Sequence, residues 1–361
     1  MSGEMGAMGA MGAMGAMGAM GAMGAMGAGG PGGPELNLML VDALIKSRGG
    51  TVPVNGREPL RLRLKNMLDD AEDLAHWAPH IRLHVMLFDL LAGLRFSVHG
   101  LKARIEHVAS DAAGTRATLH LIAEIRRPPV EIFQAQALRV RNHVDLRAER
   151  ATEILTQLTP QWAFWNAAAN LRLDRRPRTH ELMNLALTLA SFVEMRFKHA
   201  LACPRPSDYL PSLQPIIPVP LHGSLPSGHA TEAFLVTQVL THLHPDKDHP
   251  GFAEDLRRLA ERTSINRTVA GVHFPIDSEA GRMLGESLAE YLVCLCRRGE
   301  AGAPGGWSAR TFEATDPHFD FRGGNPGPQG VTPVADPQQA RSAAVSTPLQ
   351  WLWRQAVAEW N

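Results

Sequence analysis

From Pro128-Pro129 onward the chain sets apolar residues at helical spacing and breaks each run with proline or glycine, which makes a bundle of helices the natural way to bury them. Val130, Phe133, Leu138, Val140, Val144, Leu146, Ile154 and Leu158 carry the first stretch, with Trp162 and Trp165 beside it. Thr179 is placed to cap the next helix. Its apolar positions run through Leu182, Leu185, Leu187, Leu189, Phe192 and Phe197, and Pro204 and Pro206 stop it. A Pro-rich loop covers 206–226, and further helices are expected over 230–244, 252–270 and 278–298. Strong strand signals are absent from residue 130 on, so the expected class is all-α. One exception stays open: Phe96/Val98 and Leu101/Ala103/Ile105 alternate as well as keeping helical spacing, so a small β-hairpin near residues 94–124 is allowed.

Four regions follow from composition. Residues 1–34 hold a perfect Met-Gly-Ala repeat over 5–28 and then a Gly/Pro run. Glycine at every third place disfavours a helix, and Met and Ala in the other places do not suit a collagen helix, so a disordered tail is expected. Residues 35–129 read as a mostly helical region, and 130–298 as the domain that carries the chemistry. Residues 299–361 read as a Gly/Pro-rich surface extension closed by a short amphipathic helix over 348–360. Its Leu349, Trp351, Leu352, Trp353, Val357 and Trp360 suit docking on the core or on a partner.

Charge excludes one class of partner. Lys+Arg and Asp+Glu are 36 each, without a basic run, so no nucleic acid is expected. The most apolar stretches, 182–195 and 83–101, are either too short or interrupted by Asp89 and Arg95, so no transmembrane span is expected. No signal peptide is recognisable, and a soluble, cytoplasmic protein is expected. Cys203, Cys294 and Cys296 are an odd set that suits buried thiols better than a disulfide framework. His242, His244 and His249 cluster with Asp246 and Asp248, but in a loop-like setting that reads as solvated, so no divalent-metal site is expected.

Three segments concentrate functional groups. Lys198-His-Ala-Leu-Ala-Cys-Pro-Arg205-Pro206 puts two cations around a helix end. Pro226-Ser227-Gly228-His229 opens an apolar helix, where free N–H groups and the helix dipole favour an anion, glycine permits close approach and a histidine can move a proton. Asn266-Arg267-Thr-Val-Ala-Gly-Val-His273-Phe-Pro-Ile-Asp277 places a cation at a helix end and a carboxylate four residues beyond a histidine, near enough to fix its tautomer.

In this order, K-x(6)-R-P, P-S-G-H and R-x(5)-H-x(3)-D resemble the signature of the type 2 phosphatidic acid phosphatase/vanadium haloperoxidase superfamily. This superfamily includes soluble bacterial acid phosphatases, lipid phosphatases and vanadium haloperoxidases. The resemblance covers about residues 130–298 and implies their helical bundle. It implies that Lys198, Arg205 and Arg267 hold the equatorial oxygens of a phosphate, with Ser227 and the Gly228 amide as further donors. It also implies His273 as the nucleophile that becomes phosphohistidine, Asp277 as its orienting carboxylate and His229 as the general acid. In a haloperoxidase the same His273 would ligate a vanadate cofactor. Asn266 departs from the Ser that many relatives carry before the arginine.

The compact unit and the Asp277-Ser-Glu-Ala-Gly-Arg282 stretch resemble the phosphatase version, acting on a small-molecule phosphoester without a cofactor. His222, five residues before Ser227, resembles a histidine near the metal oxide of bromoperoxidases and is a candidate halide-site residue. It keeps open a vanadium-dependent haloperoxidase using halide and hydrogen peroxide. A non-catalytic oxyanion-binding relative is the third alternative, and oligomeric state is not readable.

Overall fold

The computed structural model describes residues 38–51, 69–110, 117–158, 161–244, 251–321, 329–335 and 346–360. The Met-Gly-Ala tail lies outside them, as do residues 52–68 and 111–116. In chain order the elements are α1 (Leu38–Thr51), α2 (Pro79–Ala92), β1 (Leu94–His99), β2 (Lys102–Ser110), β3 (Ala117–Arg126), α3 (Val130–Arg141) and α4 (Arg147–Thr156). They continue with α5 (Trp162–Ala169), α6 (Pro177–Leu201), α7 (Pro206–Tyr209), α8 (Gly228–Leu243), α9 (Phe252–Ala270), α10 (Pro275–Cys296), β4 (Ala309–Phe312), β5 (Val331–Val334) and α11 (Thr347–Ala358).

The helices dominate, but the all-α expectation needs correction. A five-stranded mixed sheet runs in the order β1-β2-β3-β4-β5. Its β3/β4 pair is parallel and its other pairs are antiparallel. The alternation noted in the sequence is its cause: Ala103, Ile105, His107 and Ala109 are buried at every second position of β2. Strand β2 packs on α6 and β3 on α10, so the sheet covers one side of the bundle. The stretch expected as a surface extension partly enters the core. Its β4 pairs Arg310 with Ala123 and Phe312 with Ile125, and Trp307, Phe312, Phe319 and Phe321 are buried.

Helix α6 starts three residues earlier than a Thr179 cap would place it. Pro177 supplies the first helical position, where its missing N–H costs nothing. The first-turn N–H groups of Arg178 and Thr179 donate to the Glu359 carboxylate at 2.7 and 2.8 Å, so the far end of the chain caps this helix. Helix α11 docks on the core, with Leu349, Trp351, Leu352 and Trp353 buried. Arg82 of α2 meets Glu181 of α6 in a buried, bidentate ion pair at 2.5 and 2.8 Å.

At the centre, α8 lies against α6, α9 and α10. Its approach to α10 depends on Gly281 and Gly285. A Cβ at Gly281 would lie 2.6 Å from the Ser227 carbonyl oxygen and 2.8 Å from Ala230 Cβ, and one at Gly285 would strike the Thr231 carbonyl. Cys203, Cys294 and Cys296 are buried free thiols. Among the described residues, no helix is long and apolar enough to cross a membrane. His244 stacks on Trp360 at 4.9 Å, whereas His249, Asp246 and Asp248 lie outside the described residues.

Candidate active site

Three chain reversals at one end of the bundle bring the motif residues together. Lys198 is buried in the last turn of α6, which closes on Ala202 in the left-handed conformation. Its ammonium donates to the carbonyls of Ser224 (3.3 Å), Gly223 (3.5 Å) and Pro226, and so anchors the loop that delivers Ser227. The loop passes close because residue 223 is glycine: a Cβ there would sit 2.8 Å from the Lys198 carbonyl oxygen.

Arg205 links this loop to the third segment. Its guanidinium donates to the Val272 carbonyl (2.8 Å), to the carbonyls of His222 and Gly223 and to His273 Nε2 at 3.0 Å. An arginine only donates, so His273 Nε2 carries the lone pair and Nδ1 carries the proton. That Nδ1–H donates to Asp277 Oδ2 at 3.0 Å. The same oxygen accepts the Phe274 amide at 3.0 Å, an arrangement set by Pro275 at the first and Asp277 at the third position of α10. The Asp277 carbonyl in turn accepts the Ser227 amide at 2.9 Å, which joins the α8 and α10 N-termini.

Arg267 sits in the last turn of α9, which Gly271 closes with φ of 87°. Its Nη2 donates to the Ile154 carbonyl (3.2 Å) and to Gln157 Oε1 (2.8 Å). His229, in the first turn of α8, donates Nε2–H to the Gln157 carbonyl at 2.8 Å, which leaves its Nδ1 with the lone pair. Asn266 is buried between Arg150, which donates to its Oδ1 at 3.1 Å, and Gln157 Oε1, which accepts its amide at 3.1 Å. His222 packs its Nδ1 3.1 Å from Arg205 Nη2 and lies half-buried beside the other groups.

The charge pattern favours an anion. Burial pushes Lys198 down to about 8, and Arg205 and Arg267 each down to about 10. His273 falls well below its ordinary value, first through burial and then through the charges of Arg205 and Lys198. Burial and then Arg267 push His229 down to about 3, and burial and then Lys198 push His222 down to about 4. Asp277 rises to about 6 through burial, against the pull of the Phe274 amide, Arg205 and Lys198. Ser227 Oγ and the Nε and Nη1 of Arg267 are buried without a partner among the described residues. An unsatisfied buried donor costs about 1–3 kcal/mol, more when charged, and a tetrahedral oxyanion is the kind of group that would satisfy several at once. Phosphate and vanadate both fit that donor set.

Sequence reasoning missed two neighbours. Glu194 lies one helical turn before Lys198 and is buried with Oε2 unpartnered, and a Cβ on Gly228 would meet its Oε1 at 2.6 Å. The four-residue spacing to Lys198 was a signal for it. Gln157, buried at the end of α4, had no local signal at all.

No curated protein matches the chain at a significant level. Residues 182–298 match the family model described as the PAP2 superfamily. That segment contains Lys198, Arg205, Ser227, Gly228, His229, Arg267, His273 and Asp277, and it is this part of the chain that belongs to the PAP2 superfamily.

Proposed function

We propose that the chain is a phosphohydrolase that cleaves a phosphomonoester through a phosphohistidine on His273. The observation that carries this reading is the state of His273: Nδ1–H donated to Asp277, with the Nε2 lone pair held beside Arg205. An imidazole so oriented is a nucleophile once Arg205 turns its N–H from that lone pair to the phosphate, and its low proton affinity leaves Nε2 unprotonated at neutral pH. In the reaction Nε2 attacks phosphorus and the bond from phosphorus to the alcohol oxygen breaks. Lys198, Arg205, Arg267, Ser227 and the Gly228 amide stabilise the charge on the three equatorial oxygens, the main source of rate in phosphoryl transfer. His229, charged once a dianion binds beside it, gives its Nδ1 proton to the leaving oxygen. It then takes a proton from the water that attacks the phosphohistidine, releasing phosphate and restoring His273.

A second reading is a vanadium-dependent haloperoxidase, favoured by His222 beside Arg205. The same donors would hold vanadate, with His273 Nε2 as its ligand, and the bound group would supply activation of hydrogen peroxide for halide oxidation. A non-catalytic oxyanion-binding relative is the outcome if neither activity appears.

The test is an assay of the full chain with 4-nitrophenyl phosphate, and separately with orthovanadate, bromide and hydrogen peroxide. His273→Ala is expected to abolish a trapped phosphoenzyme. His229→Ala is expected still to form one from this substrate, because acid assistance, worth about 10²–10⁴-fold, matters least for a good leaving group. Near-normal hydrolysis by His273→Ala would overturn the assignment of the nucleophile.

A further inference from the structure

The residue that ties the two halves of the site together lies outside the segment matched to the family. Gln157 stands at the C-terminal end of α4, with none of its surface exposed to solvent. Its Oε1 accepts from Arg267 Nη2 at 2.8 Å and from Asn266 Nδ2 at 3.1 Å. Its own amide nitrogen donates to Glu153 Oε1 at 3.2 Å, and Glu153 is held in turn by Arg262 at 2.7 Å. Its backbone carbonyl accepts His229 Nε2–H at 2.8 Å. The residue that closes α4 therefore bonds a cation of α9 and the histidine of α8, and among the described residues no other hydrogen bond joins those two side chains to a shared residue.

Two consequences follow from chemistry alone. A guanidinium whose Nη2 is fixed by Gln157 and Ile154 has its rotation set, so Nε and Nη1 are presented in one orientation without ordering cost on anion binding. A carbonyl can only accept, so His229 is held as the Nε2–H tautomer, and only Nδ1 is left to pick up and deliver a proton. Asn266 belongs to the same device, since Arg150 and Gln157 hold its two ends.

We infer that Gln157 is a positioning residue of the oxyanion site, orienting Arg267 through its side-chain carbonyl and His229 through its backbone carbonyl. The inference rests on the reading of the site as an oxyanion cradle.

The test is calorimetric titration of the full chain with inorganic phosphate and with orthovanadate. Gln157→Met keeps side-chain volume and removes the acceptor. A hydrogen bond to a charged group predicts about tenfold to hundredfold weaker binding, with the thermal midpoint of the variant recorded alongside. In an Arg267→Lys background, which lacks the bonded nitrogen, Gln157→Met is expected to change affinity by less than about twofold, since coupled residues lose their interaction only once. A merely structural role would give the same loss in both backgrounds, and that result overturns the inference. Should Gln157→Met fail to fold, Gln157→Asn is read the same way, because it keeps the amide and withdraws the acceptor by about 1.5 Å. Histidine nitrogen shifts should report His229 protonated at Nε2, and an Nδ1–H tautomer would overturn the second arm. Failure of both anions to bind the parent protein would overturn the cradle itself and the inference with it, whereas binding that Gln157→Met leaves unchanged overturns only the role of Gln157.

Discussion

Gly281 presses α10 directly against the residue that begins α8, and this contact makes a sharp experiment. In Gly281→Ala the new methyl would stand 2.6 Å from the Ser227 carbonyl oxygen and 2.8 Å from Ala230 Cβ, against an ordinary contact of at least 3.4 Å. The Ser227 end of α8 must therefore retreat by about 0.8 Å. The atoms in the way are backbone and a short side chain, neither of which can rotate aside. Overpacking of this kind costs about 3 kcal/mol at the upper end of its usual range, and the better helix propensity of alanine returns about 1 kcal/mol. The net loss of about 2 kcal/mol corresponds to a fall in Tm of about 4–8 °C. The same shift carries Ser227, Gly228 and His229 away from His273, and a misplacement near 1 Å can cost about 10²-fold in rate. Thermal unfolding and kcat/KM on 4-nitrophenyl phosphate would be measured together. Gly305→Ala, where a Cβ meets open space, serves as the control. Should Gly281→Ala match that control in both measurements, the claim that this helix contact sets the site would be refuted.

Two further outcomes are expected. Burial pushes the Glu194 carboxyl from its ordinary 4.5 up to about 7, against the pull of Lys198. Folding then favours its protonated form, so its contribution is most favourable below about pH 4.5 and is lost as pH rises towards 7. The Tm of Glu194→Gln relative to the parent should accordingly move in favour of the variant between those pH values and stay level below them; a difference constant with pH would contradict this. Arg82→Ala should lower stability to urea by about 3 kcal/mol, the lower end for a broken buried pair, because Glu181 inside the α2–α6 contact keeps only Arg178 at 2.9 Å. A loss below about 1 kcal/mol would mean that water reaches Glu181.

Helices are legible in sequence because their apolar repeat is local, and α8, α9 and α10 fall within a few residues of where periodicity, prolines and glycines put them. The pairing of His273 with Asp277 is legible for the same reason: four residues and an intervening Pro275 bring the carboxylate to the ring whatever the rest of the chain does. The groups able to bind an anion are legible too, because arginine, lysine and a helix N-terminus carry their charge preference with them.

Whatever depends on a distant partner was settled by long-range contacts instead. The four residues of β4 have no periodic signature, and they become a strand because the edge of β3 offers unpaired backbone groups. Glu359 became the cap of α6 from the opposite end of the chain. Gln157 acquired its place between His229 and Arg267 only when α4, α8 and α9 met. A hydrogen bond between residues far apart in sequence leaves no local trace in either of them, so the supports of this site became visible only in three dimensions, while the groups they support could be named from the chain.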